Sequence, residues 1–246
     1  MCDEYENRGL VGRPLFWRED KRQLDALLMR FLAKDSEHRA CNGTSPIAAE
    51  LPFGMPGGRV GTVEIALPDG RTVDFRGKAD RVDQSEAGAL EVVDYKTGRT
   101  TGFTKLSAAD PDLGGKKLQL PVYGLAARAF AGRDGAAVQS TYWFTSRRGG
   151  FKRIGYPVTK SVLERVSQTL GRVVEGIEAG VFPPVPSETS TATRVECAYC
   201  DPDGLGVVDL LRQMERKRLD PAMASFLVLD ESVEDASPDG RDGGDE

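Results

Sequence analysis

The sequence predicts an α/β protein with a mixed central β-sheet flanked by helices. Three observations lead there. Helical and strand-like periodicities follow one another in the order helix, strands, loop, helix, strand pair, helix. The chain has 246 residues and is 39% hydrophobic, which is enough for one sizeable core. The strand-like segment around Val92 and Val93 is mostly apolar at its centre, as strands covered on both faces are.

The elements follow in order. Leu24, Leu27, Leu28, Phe31 and Leu32 recur at helical spacing, so 16–32 reads as an amphipathic helix ending near Lys34. Pro46 to Phe53 is strand-like, and Pro56-Gly57-Gly58 marks a turn. Val60–Leu67 alternates toward a strand, Pro68-Asp69-Gly70 turns it, and Thr72–Val82 returns. Ala87–Tyr95 is the third strand of this series. Residues 97–117 are rich in Gly, Lys, Asp and Ser and read as a long loop, a kind of segment that often carries function. Leu118–Phe130 is helical, Val138–Phe144 is a strand, and Gly149-Gly150 turns it into Phe151–Ile154. Thr159–Ala179 is a long amphipathic helix stopped by Gly180, and a short helix spans Val207 to about Lys217.

The formal net charge is −5, so any nucleic-acid surface has to be a local patch. Much of the acid lies in 230–246, which has no aromatic residue and is expected to be a disordered acidic tail. No stretch is long and apolar enough for a membrane span, and no secretory signal opens the chain, so a cytoplasmic location is expected. Four cysteines in a chain of this length do not make a disulfide scaffold. The organisation read from this is an extension over 1–14, one domain over 15–218 and the tail.

Three motifs carry chemistry: Gly77-Lys78-Ala79-Asp80-Arg81-Val82-Asp83, Glu91-Val92-Val93-Asp94-Tyr95-Lys96-Thr97-Gly98, and Gln119-Leu120-Pro121-Val122-Tyr123. Asp94 and Lys96, two apart on a strand, share a face. Asp80, ending a neighbouring strand, can meet Asp94 across it. Two converging carboxylates repel each other, and a hard cation such as Mg²⁺ relieves the repulsion with oxygen ligands. A lysine beside it can stabilise charge growing on a phosphate. The bland reading of Asp94 and Lys96 is an ordinary ion pair at a strand end. Asp83 reads as a turn residue, Glu91 as an edge or salt-bridge residue, and Arg81 as a contact to phosphate or to a neighbouring acid. Gln119 and Tyr123, four apart, lie on one helix face.

In this order and spacing the three motifs resemble the PD-(D/E)XK superfamily, specifically its RecB-like nuclease domain, over roughly residues 15–218. The resemblance implies a restriction-endonuclease-like core. It also implies metal binding (Mg²⁺ or Mn²⁺) by Asp80, Asp94 and the Tyr95 backbone carbonyl, with Lys96 acting on the attacking water and transition state. Gln119 and Tyr123 would point toward the site, and Glu50, in Ala48-Ala49-Glu50-Leu51-Pro52-Phe53, would stand as an acid on an early strand near it. The implied activity is a metal-dependent DNA nuclease without sequence specificity, an exonuclease of repair or recombination. Its implied partners are DNA and a helicase subunit, or a missing upstream portion of a longer helicase-nuclease.

The chain departs from that pattern in two places. Members of this branch often close the domain with a [4Fe-4S] cluster whose last cysteines are spaced C-x2-C-x5-C. Here Cys197 and Cys200 are present, but Gly206 stands at the third position. Cys2 and Cys41 lie in no cluster context, so 197–206 reads as a remnant cysteine loop. An upstream helical histidine near the metal is also expected. The sole histidine, His38, lies just past the first helix in a polar stretch and reads as exposed. These departures motivate a second reading, a catalytically impaired module that binds DNA or scaffolds a helicase-nuclease complex. Basic groups that could hold DNA are Lys96, Arg99, Lys105, Lys116 and Lys117; Arg147, Arg148, Lys152 and Arg153; and Arg212, Arg216, Lys217 and Arg218. Trp143 and Phe144 could stack on bases, although strand alternation puts at least one in the core. The cysteine pattern carries a test: anaerobic purification with iron and sulfide analysis is expected to find no stoichiometric cluster, and about four irons per chain would contradict it.

Overall fold

The computed structural model describes residues 2–183 and 207–234. The cysteine loop 197–206 and residues 235–246 lie outside the described residues. The elements are α1 (Cys2–Asn7), α2 (Pro14–Asn42), β1 (Thr44–Phe53), β2 (Val63–Ala66), β3 (Thr72–Phe75), β4 (Gly77–Ser85), β5 (Leu90–Lys96), α3 (Gln119–Ala131), β6 (Val138–Phe144), β7 (Arg153–Pro157), α4 (Lys160–Glu178), α5 (Val207–Lys217) and α6 (Ala224–Glu234). Among the described residues no helix is long and apolar enough to cross a membrane. The chain divides into two compact units: residues 1–63, 75–108 and 119–159, and residues 64–74, 109–118 and 160–246.

The first unit holds a five-stranded mixed sheet in the order β1-β4-β5-β6-β7. β1/β4, β4/β5 and β6/β7 are antiparallel, and β5/β6 is parallel. The apolar centre of β5 is explained by its place in the middle: Leu90, Val92 and Val93 are buried between two partner strands and two covered faces. The pleat then sorts the side chains. Val92, Asp94 and Lys96 face α3, together with Ser140, Tyr142 and Phe144 of β6. Glu91, Val93 and Tyr95 face α2, together with Thr141 and Trp143.

Helix α3 reaches this sheet closely because Gly124 has no side chain. A Cβ there would come within 2.8 Å of Val158 Cγ2 and 3.0 Å of Ser140 Oγ. Helix α2 is longer than its periodicity predicts, running to Asn42 before Gly43, at φ 58°, ends it with an N–H bond to the Arg39 carbonyl. Leu24, Leu28 and Leu32 are exposed, whereas Phe31 stacks on Trp143 at 4.7 Å. The helix is therefore docked chiefly by Phe31 and by polar residues of its last turns. Cys41 sits in the last turn of α2.

The expected return strand 72–82 is two strands. β3 closes a hairpin with β2, and after Arg76 the chain enters the main sheet as β4. The final hairpin strand starts at Arg153, two residues later than its sequence predicts, because Gly149 to Lys152 form the turn.

In the second unit the β2–β3 hairpin turns at Asp69-Gly70, with Gly70 at φ 86°. It leans on α4 through Arg71–Glu178 and a Ser167 Oγ bond to the Ala66 carbonyl. α4 buries Val162, Val166 and Leu170, one per turn. α6 packs against α4, and its run Ala224-Ser225-Phe226-Leu227-Val228-Leu229 carries the helix on to Glu234. The expected disordered tail thus begins with five helical residues.

The close seat of α3 gives a test. Gly124→Ala should destabilise the protein by about 1–3 kcal/mol through overpacking, read from urea denaturation. Gly176→Ala, in α4 with nothing within 4 Å of the added Cβ, should be neutral or stabilising. Equal effects at the two positions would remove the packing argument.

Candidate active site

The candidate site grows from the ends of β4 and β5. The antiparallel register pairs Arg81 with Val93, which brings Asp80 opposite Asp94. One Asp80 carboxylate oxygen accepts the Tyr95 backbone N–H at 2.8 Å. Asp94 is only 2% exposed. Its Oδ2 meets the Lys96 ammonium at 2.5 Å, an ion pair whose angle lies outside hydrogen-bond geometry. Burial pushes the Asp94 carboxyl above the usual range, Lys96 opposes that rise, and the charge of Asp80 adds to it. Asp80 is thus close enough for its charge to act on Asp94.

Helix α3 supplies the rest. Lys96 Nζ donates to Gln119 Oε1 at 2.9 Å and sits 4.9 Å from the centre of the Tyr142 ring. Gln119 Nε2 donates to the Tyr123 hydroxyl at 3.3 Å, and the Tyr142 hydroxyl donates to Gln119 Oε1 at 3.4 Å. Burial raises the Tyr123 phenol, Gln119 opposes this, and the charges of Asp94 and Asp80 add to the rise. Burial and then Asp94 raise the Tyr142 phenol as well. Both phenols are therefore neutral at physiological pH. Phe103, from the long loop after β5, covers Tyr142 edge-on at 5.0 Å.

Asp80, Asp94, Lys96, Gln119 and Tyr123 therefore form one connected cluster on the α3 face. Tyr95 contributes backbone only, since its side chain is turned to the α2 face. Glu50 is not brought in. Its φ of 49° turns it to solvent, 66% exposed, where Lys78 pairs with it at 2.8 Å. Among the described residues no three His, Cys, Asp or Glu side chains converge on one point. Two carboxylates with water, backbone and phosphate oxygens to complete the shell is a donor set that suits Mg²⁺.

Residues 3–203 match the family model described as the PD-(D/E)XK nuclease superfamily. The chain belongs to that superfamily. Over 84 residues, 33% of its length, it is 37% identical to an ATP-dependent helicase/deoxyribonuclease subunit from Geobacillus kaustophilus (strain HTA426). It is 36% identical over 84 residues to the subunit of the same name from Geobacillus thermodenitrificans (strain NG80-2). The chain spans about 7% of the length of each of these relatives. The crystal structure of SSO0001 superposes over 69% of each chain at 15% identity with a TM-score of 0.28, too slight a likeness to bear on the fold. The five-stranded mixed sheet between α2 and α3 is the restriction-endonuclease-like core that the motifs led one to expect.

The opposite face of the same strands of this PD-(D/E)XK core holds a second polar cluster that sequence reasoning missed. Arg81 binds Asp83 through Nε at 2.6 Å and through Nη2, and binds Asp35 through Nη1 at 2.6 Å. The same Nη1 donates to the Tyr95 hydroxyl at 3.2 Å. Asp83 is fully buried in a central strand and is not a turn residue. Arg81 takes the neighbouring-acid role and not the phosphate one. His38 lies within α2, half-buried, with Nε2 2.8 and 2.9 Å from the two Glu91 oxygens, so it is neither exposed nor directed at the cluster of Asp80 and Asp94. Glu91 also pairs with Arg153 at 3.0 Å, and Arg153 lies 4.0 Å over the Trp143 ring. Glu91 is thus a salt-bridge residue of a central strand. Trp143 and Phe144 are both buried and do not offer themselves to bases. The signal that could have found this face was the i, i+4 pair Asp35–Arg39 in line with Phe31.

Burial pushes the Asp35 carboxyl up, but bonds from Arg81 and Arg39 outweigh it and hold the group below the usual carboxylate range. A depressed folded pKa contributes stability that is present above the unfolded value, near 4, and is lost as pH falls through the folded value. Asp35→Asn should therefore lower the unfolding free energy at pH 7, and its deficit should shrink as the pH drops below about 4. Urea titrations at pH 7 and in strong acid measure it. A deficit independent of pH would contradict the charge-based account.

Proposed function

We propose that this chain is a DNA nuclease that hydrolyses phosphodiester bonds with a divalent cation, Mg²⁺ or Mn²⁺, held by Asp80, Asp94 and the Tyr95 carbonyl. One observation carries the reading: repelling carboxylates converge with Lys96, Gln119 and Tyr123 on one face of the sheet. When bound, the cation supplies Lewis-acid charge and acidifies water. The chain's own residues do the rest. Tyr95 N–H occupies one Asp80 oxygen and leaves the other for the cation. Burial keeps Asp94 poorly solvated, so its charge favours a cation strongly. Gln119, braced by both tyrosines, holds the Lys96 ammonium in place. Held there, that ammonium would stand beside a bound phosphate and stabilise the negative charge that grows on it in the transition state.

The cleavage is proposed to be sequence-independent and exonucleolytic, in cytoplasmic DNA repair or recombination beside a helicase. The 84-residue likeness to helicase/deoxyribonuclease subunits supports that setting. A second reading, an impaired module that only binds DNA, is favoured by Glu50 and His38 being engaged elsewhere.

Titration calorimetry with Mg²⁺ or Mn²⁺ is expected to show binding that Asp80→Asn and Asp94→Asn each largely remove. Unchanged affinity in both variants would eliminate the site. Single-turnover cleavage of linear DNA at saturating Mg²⁺ should fall about 10²–10³-fold in Lys96→Ala, by analogy with the loss of one transition-state donor. Release of no nucleotides by the parent chain would favour the impaired module. A Lys96→Ala defect confined to DNA affinity would make Lys96 a phosphate clamp.

A further inference from the structure

We infer that the turn between β6 and β7, residues 145–152, together with Arg99, Arg30 and Lys34, is the surface that grips the DNA backbone beside the site. This rests on reading the Asp80–Asp94 cluster as a nuclease site and names how its substrate is held. Parallel register places the end of β6 beside the end of β5, with Phe144 opposite Lys96. The turn is then bonded to the site strand: Thr145 N–H donates to the Lys96 carbonyl at 2.9 Å, and Ser146 Oγ to the Gly98 carbonyl at 3.3 Å. Gly149 N–H donates to Ser146 Oγ at 3.0 Å. A Cβ on Gly149 would meet Phe144 Cβ at 2.6 Å and the Gly98 carbonyl at 2.9 Å, so the two loops touch backbone to backbone.

That attachment bounds the distance. Arg147 is two residues beyond Thr145, or about 7 Å of extended chain. A DNA strand rises about 3.4 Å per nucleotide, so a phosphate at the site and one at Arg147 are separated by only a few nucleotides.

The charge on this surface is available. Arg99, Arg147, Arg148 and Lys152 are exposed, and none makes a salt bridge among the described residues. Glu19 lies within electrostatic reach of Arg147 and is already bonded to Arg22 and Gln23. The turn is also built to hold a shape. Gly150 and Phe151 are both left-handed, at φ 63° and 55°, a strained conformation for Phe. Phe151 is buried, with the Arg30 guanidinium 4.8 Å and the Lys34 ammonium 5.9 Å from its ring centre. Phe151 thereby draws two α2 cations to the same turn. Six cations gathered at the sheet's end in a chain of net charge −5 fit a polyanion, and their exposed, forked guanidinium groups fit phosphate.

The experiment is fluorescence anisotropy with a short labelled DNA duplex of mixed sequence, in EDTA, using the full chain at several salt concentrations. Arg147→Ala/Arg148→Ala should weaken binding about tenfold or more. It should also flatten the slope of log K against log salt by about 1.8, at about 0.9 for each phosphate left without its cation. Arg216→Ala/Lys217→Ala on α5 should leave the slope unchanged. Asp94→Asn, measured alongside, should abolish cleavage in Mg²⁺ while keeping the parent's slope, which separates the two readings. An unchanged slope in the Arg147/Arg148 variant, with its melting curve intact, overturns the surface even if the Asp94 result stands. So does an equal loss in the α5 variant. Full cleavage by Asp94→Asn would overturn the nuclease site and leave the binding result to judge the surface by itself.

Discussion

The structure turns on the Arg81 guanidinium. It is buried between β4 and α2 and binds Asp83, Asp35 and the Tyr95 hydroxyl. Arg81 lies one residue from Asp80, and Tyr95 lies between Asp94 and Lys96. The node behind the sheet is therefore wired, through one residue on each strand, to the carboxylates in front of it. Removing one partner from such a buried pair costs about 3–5 kcal/mol, because the others are left charged and dry. That exceeds the contribution of any surface ion pair in this chain, which is about 1 kcal/mol at most. The ion pairs pin β4 to α2, and the Arg81 bond to the Tyr95 hydroxyl at 3.2 Å ties β5, the strand of Asp94, to the same node.

The pleat lets one pair of strands serve two opposite electrostatic purposes. In the buried node on the α2 face charges are balanced: Arg81 and Arg39 against Asp35 and Asp83, and Arg153 against Glu91, which His38 also meets. On the α3 face they are left unbalanced, with two acids facing one lysine. A site that is to accept a cation has to be short of positive charge. The balanced face supplies the rigidity that keeps the unbalanced one from relaxing apart.

Much of this was legible beforehand, for local reasons. Asp94 and Lys96 share a face because strand side chains alternate, and Gln119 and Tyr123 share one because they are four apart on a helix. Those relations need no partner to be known. The hairpin at Asp69-Gly70, the buried character of β5 and the stop of α4 at Gly180 were equally local. The division of 72–82 into β3 and β4 was not, since nothing in the run of residues says that Arg76 separates two sheets. Helix α2 was misjudged for a related reason. Its apolar residues indicated the docking face, yet Leu24, Leu28 and Leu32 stay exposed while Asp35, His38 and Phe31 make contact.

By itself, the sequence determined the α/β class, the order of most elements, and the shared faces of Asp94 with Lys96 and of Gln119 with Tyr123, because period and spacing are properties of a single strand or helix; joining these pairs with Asp80 came from the family resemblance of the motifs. Tertiary structure decided which acids are balanced. Asp83 looked like a turn residue and is buried, His38 looked exposed and holds Glu91, and Glu50 was expected as an acid near the site and faces solvent. The fate of a charge depends on what lies across the sheet from it, and that neighbour is many residues distant in the chain: 46 for Asp35 and Arg81, and 53 for His38 and Glu91.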